Sequence, residues 1–187
     1  MNKKKETATW KLSAKICIAE ALISLMETKK LKEIHIQDLV KKAGVSRMSY
    51  YRYFHEKKDI LKYYMEYIFQ KYKNTIDTKE NISFQSYEHI LHTLCFFKKY
   101  QNYALCLEKA GLSYIILDTL NEYIQQQPAS DEASAKLCYP FYYYAGALYN
   151  TYMQWILNDT KESPEEIATL LSSFHTLEPI KQKPSSV

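Results

Sequence analysis

Glycine is scarce in this chain, 3 in 187 residues, and proline numbers only 5. Such a composition excludes collagen-like and turn-rich all-β architectures and leaves little sequence suited to disorder. The four cysteines, Cys17, Cys95, Cys106 and Cys138, lie far apart, with no C-x-x-C pair among them. Neither a zinc knuckle nor a dithiol redox motif is expected. Scattered thiols read as small buried apolar groups, and the reducing cytoplasm is the expected compartment. No apolar run approaches the ~20 residues of a membrane span, so no membrane partner is expected. The amino-terminal lysines have no apolar stretch behind them, so no signal peptide is expected either.

Catalytic patterns are missing as well. There is no paired-carboxylate motif, nucleophile elbow or glycine-rich phosphate loop, so an enzyme is not expected, and no cofactor is assigned. Glu88, His89 and His92 fall within one helical turn. With no further ligand in view they read as surface and core residues, and no metal is assigned.

Charge is present but unevenly spread. Residues 1–62 carry 15 Lys+Arg against 7 Asp+Glu, and residues 63–187 carry 10 against 14. A basic first third on a mildly acidic remainder suits a polyanionic partner for the first part alone. A solvated lysine-rich surface would read the same way, so charge does not decide the matter.

Apolar periodicity predicts helices almost throughout, with no strand alternation and no internal repeat. A loose lysine-rich arm is expected over residues 1–10 and a helix over Lys11–Glu27, with Leu12, Ile16, Ala19, Leu22, Ile23 and Met26 on its inner face. A short helix follows at Ile36–Lys42. Gly44 can close it in the left-handed conformation, and Ser46 can cap the next helix, Arg47–Tyr53. Further helices are expected near Lys57–Tyr72, Phe84–Lys99, Tyr103–Lys109 and Leu112–Gln126. Asn74–Ile82 reads as a bend and Gln127–Asp131 as a loop. Within Glu132–Leu157, Pro140 should start or kink a helix. Ser163-Pro164-Glu165-Glu166 combines serine cap, N1 proline and N3 glutamate, and starts a last helix reaching Phe174. The tail from Pro179 should fray.

Helix, glycine turn and helix over Ile36–Tyr53 have the spacing of a helix-turn-helix, although a plain helical hairpin would share it. On a wheel of about 100° per residue, Tyr50 and Phe54 lie about 40° apart and define an inward face. Met48, Ser49 and Arg52 then point outward, flanked by Arg47 and Tyr51. Arginine, hydroxyl and slim apolar groups are the chemistry that reads base edges in a major groove. Lys41, Lys42, Arg52, Lys57 and Lys58 crowd around the pair and suit phosphate.

The run Ile34–Leu61 closely resembles the TetR/AcrR family of regulators. It carries Ala43-Gly44-Val45-Ser46, an aromatic cluster from Tyr50 ending at Phe54, then Lys57 and the pair Ile60-Leu61. The resemblance implies base contacts from Arg47, Met48 and Ser49, and phosphate contacts from Tyr51, Tyr53 and Lys57; Arg52 joins the phosphate contacts on the strength of its basic surroundings. It departs from the pattern at His35, where a threonine or serine usually caps the helix, and at Met48, where glycine is frequent.

The resemblance further implies an all-α fold in which a three-helix helix-turn-helix domain precedes a larger helical domain for dimerisation and effector binding. The expected divisions are residues 1–56, a connecting helix at 57–76, the helical domain at 77–178 and a flexible tail at 179–187. Ala110–Tyr114, Tyr144–Leu148, Trp155–Asn158 and Lys161–Ile167 are similar to a Firmicute-type variety of that second domain. Stripes at Leu148, Tyr149, Tyr152, Met153 and Ile156, and at Ile167, Leu170, Leu171 and Phe174, would meet a symmetry mate in a four-helix interface. The same stripes could instead pack inside one monomer. Phe96, Phe97, Tyr103, Tyr114, Tyr142 and Tyr143 are candidates for lining an aromatic effector pocket, or are ordinary core and surface.

Three functions follow. The first is a dimeric repressor that binds double-stranded DNA at an inverted-repeat operator and releases it when a small-molecule effector binds. The second is an activator or co-activator whose second domain holds a protein partner. The third, an enzyme, lacks any supporting motif.

Overall fold

The structure, a computed structural model, describes residues 2–76, 86–125 and 138–174, with side chains over 14–76, 86–123 and 139–174. The expected loop Gln127–Asp131, the tail from Pro179 and most of the bend at Asn74–Ile82 lie outside the described residues.

All regular elements among the described residues are helical. They run α1 (Asn2–Met26), a 3-10 turn (Leu31–Glu33), α2 (Ile36–Ala43), α3 (Arg47–Tyr53), α4 (Lys57–Lys73), α5 (Tyr87–Lys98), α6 (Gln101–Lys109), α7 (Tyr114–Gln125), α8 (Cys138–Leu157) and α9 (Pro164–Ser173). Helix α1 starts at Asn2, so the arm expected to be loose is helical. Of its expected inner face, Ala19, Leu22, Ile23 and Met26 are buried and Ile16 is half-buried, while the Leu12 side chain lies outside the described residues.

The short helices are set by local chemistry. Gly44 adopts φ 66°, ψ 28°, and its N–H returns to the carbonyls of Lys41 and Val40. A side chain there would meet no neighbour, so the requirement for glycine lies in the backbone conformation and not in space. His35 stands at the N-cap of α2 and contributes no side-chain bond, as its departure from threonine or serine implies. Ser163 and Glu166 form the expected reciprocal capping box of α9, with the serine Oγ accepting from the Glu166 N–H at 3.2 Å.

Helix α1 packs on α2, α3, α4 and α6, α4 reaches α7, α7 lies on α8, and α9 packs on α5. One continuous core runs from Ile18 and Leu22 in α1 through Ile60, Leu61 and Ile68 in α4 to Leu94 and Leu107 beyond. Two hydroxyls tie α4 to the second half of the chain. Tyr103 Oη donates to the Leu61 carbonyl at 2.7 Å, and Tyr72 Oη lies 2.5 Å from Thr93 Oγ1.

Candidate nucleic-acid interface

Helix α3 is short and must be held from both ends. Ser46 Oγ accepts from the Ser49 N–H at 3.0 Å, satisfying one of the unpaired amides of the first turn. At the other end the Phe54 N–H donates to the Tyr50 carbonyl at 2.9 Å. The chain then leaves the helix, with Phe54 extended at φ −139°, ψ 138°. The start of α4 is fixed in turn by Asp59 Oδ2, which accepts from the N–H groups of His55 and Glu56.

The exit of Phe54 corrects the wheel. Tyr50 and Phe54 are both buried, as expected. Phe54, however, is not a helical position, so it cannot help set the inward arc. That arc is defined by Ser49, Tyr50 and Tyr53. Ser49 is buried rather than outward, and its hydroxyl lies 3.0 Å from Ser46 Oγ. Tyr53 is half-buried, and its Oη is shut away from solvent with no hydrogen-bond partner among the described residues. The expected base contact from Ser49 and phosphate contact from Tyr53 therefore have no outward-facing group behind them.

Four side chains remain on the open face: Arg47, Met48, Tyr51 and Arg52. Met48 is 76% exposed and Tyr51 57%. An apolar side chain this exposed, on a helix capped so tightly, is the unusual feature of the surface. Exposed Lys41 and Lys42 at the end of α2 add positive charge beside it.

Lys57 has a different place from the one expected. It is half-buried, and its Nζ donates to the carbonyls of Leu31 and Ile34, the latter at 2.9 Å. Burial pushes its pKa down. It fastens the start of α4 to the 3-10 turn, and at most one of its three donors is left for a phosphate. Beneath the helix, Lys15 Nζ lies 4.6 Å from the centre of the Tyr63 ring and 5.7 Å from that of Tyr53. Sequence reasoning missed this contact between α1 and the aromatic cluster.

The six aromatic pocket candidates do not form one lining. Phe96 and Phe97 stack on each other and on Tyr72, at 5.3 and 5.0 Å from the Tyr72 ring. Tyr103 is buried against α4, with its ring 5.3 Å from that of Tyr64. Tyr114 is exposed beneath Lys58, whose pKa it raises by hydrogen bonding. Tyr142 is half-buried on α8, and Tyr143 is 74% exposed.

The dimer stripe is also corrected. Tyr152, Met153 and Ile156 are buried in the monomer's own core, and Tyr152 Oη donates to the Phe97 carbonyl at 3.1 Å. Leu148, Tyr149, Ile167 and Leu171 are half-buried, whereas Leu157, Leu170 and Phe174 are exposed.

Sequence reasoning overlooked a polar group between α4 and α5. Tyr72 Oη bridges Thr93 Oγ1 and His89 Nε2, the latter at 3.3 Å, and all three residues are buried. The signal was available: His89 and Thr93, four apart, sit on the apolar face of α5.

Among the described residues no group of three His, Cys, Asp or Glu side chains could hold a metal, and no helix is long and apolar enough to cross a membrane. No curated protein matches the sequence. Among solved structures, the chain is similar to the dihydroxyacetone kinase operon activator DhaS, with a TM-score of 0.57 at 18% identity over 86% of this chain and 93% of that one. At that identity the likeness speaks for the fold. Residues 87–176 match the TetR-type family described as a transcriptional regulator C-terminal region. That region stands behind a helix-turn-helix, so the carboxy-terminal half belongs with the TetR-type regulator family and the whole chain has the arrangement of helices that such regulators share.

Proposed function

We propose that the protein is a cytoplasmic, non-enzymatic homodimer that reads an inverted-repeat operator in double-stranded DNA and represses transcription until a small molecule binds. The observation that carries this reading is the exposed face of α3. It presents a cation, a slim thioether, a phenol and a second cation on a helix locked at both ends. Arg47 and Met48, on the first turn, face base edges, where an arginine fork suits guanine and an apolar chain suits the thymine methyl. Tyr51 and Arg52, with Lys41 and Lys42, hold phosphates and set the register.

One such head spans only a half-site, so the dimer follows from the reading mode. Its face is assigned to the exposed Leu157, Leu170 and Phe174 with the half-buried Leu148, Tyr149, Ile167 and Leu171. Residues 1–56 form the head, 57–76 the connection and 77–178 the effector and dimer domain. The test is protection of the gene's own upstream DNA by the purified protein. Two protected half-sites about one helical turn apart support the reading, and binding without sequence preference at any salt concentration overturns it.

A second reading, activation through a protein partner of the carboxy-terminal domain, draws support from the structural neighbour DhaS, which is named an operon activator. Transcription from the protected promoter, measured with and without the protein, separates the two by sign.

A further inference from the structure

The junction between head and body holds a cleft of about 770 Å³, a size common for small-ligand sites. One wall comes from the end of α1, the 3-10 turn and the start of α4, and the other from the end of α6. Six lysines line it: Lys29, Lys30, Lys32, Lys57, Lys58 and Lys109. Only Glu27 and Glu56 oppose them. Met26, Leu31, Cys106 and Ala110 add apolar lining.

Much of this charge lacks an acidic neighbour. Lys29 pairs with Asp38 at 3.6 Å, Lys57 is held by carbonyls, and Lys58 by Tyr114 with Glu56 and Asp118 nearby. Lys30, Lys32 and Lys109 have no ion-pair partner among the described residues. Like charges gathered on concave walls focus a positive potential into the space between them.

We propose that this cleft binds a small anion carrying two or more phosphate groups, and that the bound anion ties the head to the body. Ammonium groups act as point charges and suit a many-oxygen tetrahedral anion. No arginine lines the cleft, so the site offers clustered point charges instead of a planar fork, and these gain most from an anion that carries several negative charges. The same phosphate chemistry could come from a duplex backbone. A concave site walled on both sides, one wall belonging to the body, favours a small ligand over a rigid duplex. Only three residues separate the end of α3 from the start of α4, so a ligand spanning the two walls fixes the attitude of the reading helix. Anion and operator affinities must then be coupled reciprocally. Binding of the anion does not depend on the proposed operator function; only its consequence for DNA does.

The probe is inorganic tripolyphosphate, titrated into the full chain by calorimetry and thermal melting against sodium chloride of equal ionic strength. Expected is saturable binding and a rise in Tm beyond that given by chloride. Lys32→Ala with Lys109→Ala should weaken the binding about tenfold, whereas Lys109→Arg, which keeps the charge, should stay within about twofold. Circular dichroism of the variants should match the parent, since both lysines are exposed. No saturable binding by the parent, or undiminished binding by the double variant, overturns the proposal. A second arm measures affinity for the upstream duplex without tripolyphosphate. The double variant should stay within about twofold. A loss of about tenfold or more there would assign the lysines to the duplex backbone and equally overturn it.

Discussion

Lys57 Nζ donates to the carbonyl of Ile34 at 2.9 Å, joining the first residue of α4 to the strand of chain that leads into α2. The bond fixes the front of α4 to the helix-turn-helix without using any group of α3. Replacing Lys57 by Met keeps the stem and removes the charged donor. Hydrogen bonds to charged groups contribute about 1.5–3 kcal/mol. Urea denaturation of Lys57→Met should show a loss of that order, and an unchanged midpoint would refute the structural role.

The exposed face of α3 makes a second prediction. Arg47→Ala should leave the unfolding free energy, measured in urea, within about 0.5 kcal/mol of the parent's. It should weaken binding to the protected operator by about 1–3 kcal/mol and relax preference at one base position. Binding to random duplex should fall far less. Equal losses on both would argue against base reading. Arg52→Ala should instead weaken both duplexes alike and lower the salt slope by about one.

Burial separates two groups of residues once assigned together to the dimer face. Tyr152→Ala removes a buried ring and its bond to Phe97, and should cost about 3–5 kcal/mol of stability. Leu170→Glu with Phe174→Glu alters exposed positions and should leave the fold intact while shifting the protein to monomer in sedimentation. A dimer that survives the second change would place the interface elsewhere.

The group between α4 and α5 sets a pH dependence. Burial, helped by the charge of His92, holds the His89 pKa below its ordinary value of 6.5. The folded state therefore binds fewer protons there than the unfolded state, and stability rises with pH through that window. The contribution is fully present above about pH 6.5 and fades as pH falls through the lower folded value. His89→Gln should flatten this part of the stability profile between pH 7 and 5. A profile identical to the parent's would show that His89 does not carry it.

Much of the head, and the start of α9, was legible in the sequence because the signals there are local. The glycine conformation at Gly44, the Ser46 cap and the Ser163–Glu166 box each depend on residues within a turn of one another, and each stands where it was expected. The errors came where a linear pattern had to decide between two surroundings. Phe54 looked like one more position on the wheel, yet the extended backbone there rotates the inward arc toward Ser49 and Tyr53. A stripe such as Tyr149, Tyr152, Met153 and Ile156 announces an apolar face but not whose core it enters. The Tyr72–Thr93 and Lys57–Ile34 bonds join residues 21 and 23 apart, separations at which no periodic pattern speaks.

Helix α4 is anchored near both ends, by Lys57 at its first residue and by Tyr72 one residue before its last. Its 17 residues make a rod of roughly 25 Å at about 1.5 Å per residue. A tilt of about 10° imposed at the Tyr72 end would swing the other end by about 4 Å. That sweep exceeds the rise between neighbouring base pairs, so under the proposed operator reading a small repacking around Thr93 would be geared up into a change of half-site register.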